Sequence, residues 1–411
     1  MVSKWVRIGF TLMFGLFIAY LDRTNLSVGL PGMSQSLGFA GASFAVTSSL
    51  ALTTFLVGYA FANLLGGVLT QRFDPKPVTI ILFAVWSLVT VLTGWVTSVT
   101  LLLVYRLILG IAEGVYWPQQ SRFAQAWFTD KERTSANAII QYYGQYLALA
   151  LGFIILTPVY SSFGWQPLFF ITGGIGLLVV VPIYLAMLRG EPEEKVSTPK
   201  APAGRLSLEA LGGTPFLLLV FSYLTQGMLF WGITLWIPLA VNSLGFKGLA
   251  QAGASAVPYI AAVVLAIPMT RLSDRTGQRV LIASLGEIIP GILLLLLGVV
   301  QDSGLRLALI TIGLGFYASS YTPNIWAIIQ SRMDRSTVGT AAGIVNGIGA
   351  GGGGTIAGWL VGLMLQATGS YIPGFVTLGG ISIVGGIALL MYGRTAHSVA
   401  VSPRMKAEAK A

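Results

Sequence analysis

The chain has 411 residues, 55% of them hydrophobic and only 9% charged, and Lys+Arg 24 against Asp+Glu 14 leaves a net charge of +10. An ordinary soluble domain carries about 25% charged residues, so a water-soluble globule is excluded. With no cysteine and a single histidine, His397, there is neither a disulfide framework nor the donor set of a Cys/His metal centre.

A helix crosses the ~30 Å hydrocarbon core with about 20 apolar residues, and the apolar runs predict twelve such helices. The first run, from Ile8 to Leu21, leads into Asp22 and Arg23 rather than a small-residue cleavage site, so it is expected to stay as helix 1 instead of being removed as a signal peptide. Tyr20 precedes this pair, and Tyr59 falls on helix 2. On helix 4, Arg106 and Glu113 stand seven residues apart, close to one helical face. Gln145 lies on helix 5. The polar stretch Arg189 to Gly213, with GEPEEKVSTPKAPAGR, reads as a solvated linker. The expected organisation is therefore a six-helix bundle over 1–188, a linker over 189–213, a second six-helix bundle over 214–394 and a tail over 395–411. In the second bundle, Glu287 falls on helix 9, Trp326 on helix 10 and Asn346 on helix 11.

All of the 24 Lys and Arg except Arg23, Arg106, Lys247 and Arg306 fall on alternate polar segments. Cations dispersed in this way mark cytoplasmic loops and do not form the patch that nucleic acid would need. The pattern predicts an even number of spans, both termini in the cytoplasm and the lipid bilayer as a partner. The halves also echo one another. RLSDRTGQRV, Arg271 to Val280, answers TQRFDPKPV, Thr70 to Val78, roughly 200 residues earlier, as expected of parallel six-helix repeats with a site near the midplane between them.

Ionisable residues inside a bilayer are costly, at ~2.5–3.5 kcal/mol or more each, and mark function by default. Asp22, Arg23, Arg106, Glu113 and Glu287 qualify. An arginine offers a fork of donors suited to a carboxylate, and a shielded carboxyl between arginines is a candidate to take and release a proton. Glu287 reads as a neutral acid hydrogen-bonded near Pro290, whose ring leaves a carbonyl unpaired. Gly110 and Gly114, and Gly343, Gly347 and Gly351, have the spacing that lets helices approach closely. GAGGGG has no preceding strand and no Lys-Ser/Thr, so it is not a phosphate loop. The absence of a nucleophile–base pair or cofactor motif argues against an enzyme.

LSDRTGQR, with Asp274, Arg275, Gly277 and Arg279, resembles the cytoplasmic loop motif of the major facilitator superfamily; the first-half copy departs from it at Gln71 and Asp74. YLDRTNLSVGLP, RLILGIAEGVYWP and AWFTDKERTSA resemble the anion:cation symporters within it, which include bacterial sugar-acid transporters and the vesicular glutamate transporter and sialin group. The resemblance implies an all-α membrane protein of two pseudo-symmetric bundles, in the inner membrane of a bacterium. It implies import of an organic anion, a sugar acid foremost, coupled to protons by alternating access, with no cofactor or metal and a monomer as the working unit. Arg23 would contact the substrate carboxylate, with Tyr20, Tyr59, Gln145, Trp326 and Asn346 around it. Asp22 and Glu113 would carry protons, and Arg106 would link them. The alternative is an antiporter exchanging organic phosphates or other organic anions without protons, which the two intramembrane carboxylates disfavour.

Overall fold

The computed structural model describes residues 3–70, 73–129, 136, 138–190, 211, 213–332 and 338–408. Gln71 and most of the linker lie outside them, as does the side chain of Asp274.

The apolar runs fold into helices because only internally hydrogen-bonded segments survive in lipid. The first half contains α1 (Thr11–Ser36), α2 (Phe44–Thr70), α3 (Pro75–Thr93), α4 (Val99–Trp127), α5 (Gly144–Phe163) and α6 (Gln166–Met187). The second contains α7 (Thr214–Ser243), α8 (Gly248–Thr276), α9 (Arg279–Leu295), α10 in two pieces (Ser303–Ser320 and Thr322–Arg332), α11 (Val338–Asn346 continuing to Thr368) and α12 (Ile372–Glu408). Among the described residues, 11 helices are long and apolar enough to cross a membrane. The expected twelfth is α10. It breaks at Tyr321, two residues before Pro323, a residue without an N–H that cannot continue an α-helical ladder.

Helix ends follow local chemistry. Ser98 and Asp302 cap α4 and α10 by accepting from the backbone N–H groups of Leu101 and Leu305, at 3.2 and 2.7 Å. Gly277 ends α8 at φ +67, where a side chain would be strained. At the altered first-half loop, Asp74 caps α3 through the Lys76 N–H, 2.7 Å, and Arg122 of α4 donates to the Phe73 carbonyl, 2.9 Å. Aspartate in place of the usual glycine thus works as a helix cap.

Small residues set the packing, as the glycine spacing predicted. A Cβ on Gly110 would run into the Phe55 carbonyl, and one on Gly114 would lie 2.6 Å from the Tyr59 carbonyl, so α4 rides on the backbone of α2. Helix α11 opens into a π-helical stretch, Gly347–Gly353, between α2 and α7. Gly351 faces Ala60 on α2, whereas Gly353 faces the Leu224 carbonyl on α7. The two halves therefore meet along α2 and α11, from Ser49 against Gly362 to Asn63 against Gly343. They also meet at α5 and α8, and in the π-helical turn Ala138–Tyr143 that leads into α5 the Tyr142 hydroxyl donates to the Ala262 carbonyl of α8 at 2.8 Å.

Candidate functional site

Helix α1 carries the centre of the site. Successive residues on a helix project about 100° apart, and Asp22 and Arg23, both buried, turn to different neighbours. Asp22 faces α3 and its own helix: Oδ2 accepts from the Thr90 hydroxyl, 2.6 Å, and Oδ1 from Asn25 Nδ2, 3.0 Å. Asn25 also donates to Thr172 on α6, 2.5 Å. Arg23 faces α4, where Nε donates to Glu113 Oε2 at 2.7 Å and Nη2 donates to the same oxygen. This ion pair is only 4%/2% exposed, so its strength is not diluted by water. Nη1 of Arg23 and Oε1 of Glu113 are buried with no protein partner.

The guanidinium carbon of Arg23 lies 4.1 Å from the ring centre of Tyr20, 5.0 Å from Trp231, 5.2 Å from Phe55 and 5.5 Å from Tyr59. These aromatic faces stabilise a desolvated cation, and Trp231 is supplied by α7 of the other half. Arg106 donates through Nε to the Ala51 carbonyl on α2, 3.1 Å, and its guanidinium carbon sits 4.8 Å from the Phe55 ring centre. Its charge acts on both Asp22 and Glu113, while the direct ion pair is the one between Arg23 and Glu113.

A small cavity, of about the size of one water molecule, lies between the halves at this point. Arg23 and Arg106 line it, together with Thr24, Ser27 and Thr234. The rest of the wall is apolar, from Phe55, from Leu149 and Phe153 on α5 and from Trp231 and Leu235 on α7. In the second half of α2, Tyr59 and Asn63 meet Asn346 of α11, which donates to the Tyr59 hydroxyl, 3.1 Å, and to Asn63 Oδ1, 2.8 Å, a polar clasp between the bundles.

Of the residues singled out from sequence, Arg23, Asp22, Glu113, Arg106, Tyr20 and Tyr59 cluster together, and Asn346 joins through Tyr59. Gln145 is half-buried on α5 and is not among the residues lining the cavity. Trp326 packs edge-on against Tyr223, ring centres 5.7 Å apart, away from the cavity lining. The loop-motif residues Arg275 and Gly277 are exposed at the end of α8. Glu287 is fully buried and hydrogen-bonded, but its partners are the hydroxyls of Ser222 and Thr225 on α7, each 2.9 Å away, not a carbonyl freed by Pro290. Sequence reasoning passed over Asn25, Thr90, Trp231 and Asn63. Asn25 carried a usable signal, standing three residues after Asp22 on one helical face. The others are commonplace residues brought in by tertiary packing.

Known proteins resemble this chain in sequence and in fold. A probable sulfoacetate transporter of Cupriavidus necator is 28% identical over 397 residues, covering 91% of this chain and 90% of that protein. The D-galactonate transporter of an Escherichia coli strain is 24% identical, covering 91% and 92%. In three dimensions the chain is similar to the crystal structure of a D-xylose-proton symporter, with a TM-score of 0.80 at 14% identity over 94% of this chain and 97% of that one, a likeness of fold alone. The family model for the Major Facilitator Superfamily matches residues 12–355, and the chain belongs to that superfamily, as a transporter rather than an enzyme.

Proposed function

We propose that the protein imports a small organic anion together with protons by alternating access, through the cavity between its two bundles. The observation that carries this reading is the buried Arg23–Glu113 pair at the cavity wall. A substrate carboxylate and the Glu113 carboxylate are chemically alike, and both suit the same guanidinium fork. When Glu113 takes a proton its hold on Arg23 weakens, and the fork turns to the incoming anion. When the anion leaves, the proton must leave too, because an unpaired guanidinium buried among rings is costly. Asp22, held by Thr90 and Asn25 within the field of both arginines, supplies a second proton position. With both carboxylates ionised the four charges cancel, so each negative charge brought by substrate favours uptake of one proton.

Among organic anions, the resemblance at helices 1 and 4 favours a sugar acid. The distribution of Lys and Arg supports cytoplasmic termini and the inner membrane of a bacterium, and the six helices on either side of it support two halves joined by a linker at 189–213. Exchange without protons would leave the Arg23–Glu113 pair without a purpose.

Glu113→Gln tests the coupling, since the amide keeps the shape but holds no titratable proton. In proteoliposomes this variant is expected to lose accumulation driven by an inward proton gradient and to retain counterflow. Undiminished accumulation contradicts the role given to Glu113.

A further inference from the structure

Resting on the reading just given, we infer that the proton of Glu113 leaves through the interior of the first bundle, handed along the hydroxyls of Tyr116 and Tyr184, and not through the cavity that admits the anion.

Two observations carry this. First, the two members of the ion pair face different surroundings. Arg23 lines the cavity, whereas Glu113 is buried and is not among the lining residues. Its Oε2 is held by Nε and Nη2 of Arg23, and Asp22 and Arg106 also act on it by charge. The oxygen left to carry a proton is Oε1, which is buried without a protein partner.

Second, buried polar groups follow one another from Glu113 toward the end of the bundle where α3 begins and α4 ends. Tyr116 is three residues on from Glu113, on the same face of α4. Its hydroxyl bonds that of Tyr184 on α6 at 2.5 Å, and either can donate. The pair is enclosed by the rings of Phe83 and Trp86 on α3 and by Gly15 on α1, where a Cβ would overlap the Tyr184 hydroxyl. One turn beyond Tyr116 is Gln120, and one turn before Phe83 is Thr79. Phe83 packs on Tyr116 and the two helices are antiparallel, so Gln120 and Thr79 stand at one level. Both are buried, and the Thr79 hydroxyl and both polar atoms of the Gln120 amide have no protein partner. Buried polar atoms left over in this way are where water is held. From Thr79 to the exposed Asp74 is five residues, about 8 Å at the helical rise. None of Tyr116, Tyr184, Thr79 and Gln120 lines the cavity.

The transfer is a relay in which no hydroxyl ionises. Glu113 gives its proton to the Tyr116 oxygen as the Tyr116 proton passes to Tyr184 and the Tyr184 proton to water beside Thr79 and Gln120; each hydroxyl then rotates back. The net change is one proton moved from Glu113 to water. The carboxylate formed is held by Arg23, whose fork is free once the anion has gone, so release is tied to the anion's departure.

The test follows the proton itself and needs no substrate. Purified full-length protein is jumped from low to high pH, and the infrared band of protonated carboxyls is recorded in time; the part missing in Glu113→Gln belongs to Glu113. Tyr116→Phe and Tyr184→Phe each remove one hydroxyl and keep the ring. In both, decay of that part is expected to slow at least about tenfold, less than the ~10²–10⁴ of a positioned proton-transfer group because water can partly replace a lost hydroxyl. A merely structural hydroxyl pair would lower the melting temperature of the variants and leave the rate alone. Decay at the parental rate in either variant overturns the route while Glu113 keeps its role. A parent with no band that Glu113→Gln removes overturns the proton-carrying role of Glu113 itself.

Discussion

Arg23 is held by groups that favour its charge, a carboxylate on α4 and rings from α1, α2 and α7, and it lines the cavity with Nη1 unpartnered. Arg23→Lys keeps the charge but replaces a planar fork by a point donor. Initial uptake rates are expected to fall by about a hundredfold or more, in line with losing one arm of a bidentate contact and the ring stacking. A rate within a factor of about two of the parent would show that shape at this position is unimportant. Glu287 makes the contrast. Buried among hydroxyls with Ser222 and Thr225 as donors, it ties α9 to α7 inside the second bundle, away from the cavity lining. Glu287→Gln is expected to leave the pH profile of uptake where it stands, whereas Glu287→Leu removes the carboxyl that joins Ser222 and Thr225 and lowers the melting temperature, at a cost of about 1–3 kcal/mol in all, because Ser222 keeps the Tyr321 hydroxyl and Thr225 the Ser222 carbonyl. A shifted pH profile in the glutamine variant would make Glu287 a titrating group of the transport cycle. At this scale the charged residues were legible, because a charge in an apolar run has few bland explanations. Thr90 and Trp231 were not, since a threonine or tryptophan in a membrane helix is ordinary until its neighbours are known.

Helices α2 and α4 form one unit, and glycine is what lets them do so. Phe55 and Tyr59 on α2 meet Arg23, and Arg106 and Glu113 are on α4, so the spacing of these helices sets the geometry of the charges. A side chain at Gly110 meets the Phe55 carbonyl, a backbone atom that cannot swing aside. Gly110→Val is therefore expected to destabilise the protein by about 1–3 kcal/mol or more, seen as a lower melting temperature and slower uptake together. Gly253, where a Cβ would have nothing within 4 Å, is the control, and Gly253→Ala is expected to leave both unchanged. Equal behaviour of the two variants would contradict the close-approach account. The glycine spacing was readable from sequence, because GxxxG places the small residues on one face. The break of α10 at Tyr321 carried only a weak sign, Pro323, since membrane helices often tolerate proline.

At the scale of the molecule, the halves close on one another along α2 and α11. A Cβ at Gly362 would stand 3.0 Å from that of Ser49, near the roughly 3.5–4.5 Å of a disulfide. The chain has no cysteine of its own, so Ser49→Cys with Gly362→Cys gives a clean pair. Oxidation of this double variant is expected to stop transport and reduction to restore it; full activity when cross-linked would contradict movement of the halves at this seam. The twelve-helix plan and the repeat were legible because hydropathy and loop charge dictate them. The cavity was not, because its wall is assembled from α1, α2, α4, α5 and α7, and no single stretch of sequence announces that meeting. The central claim is that anion and proton bind to one cluster with mutual help, and by linkage each then strengthens the other. It is tested most directly by adding a saturating anion to purified, weakly buffered protein and following the bulk proton concentration with a pH-sensitive dye. Proton uptake that tracks anion binding, and is diminished in Glu113→Gln, is the predicted result; anion binding with no proton uptake would contradict it.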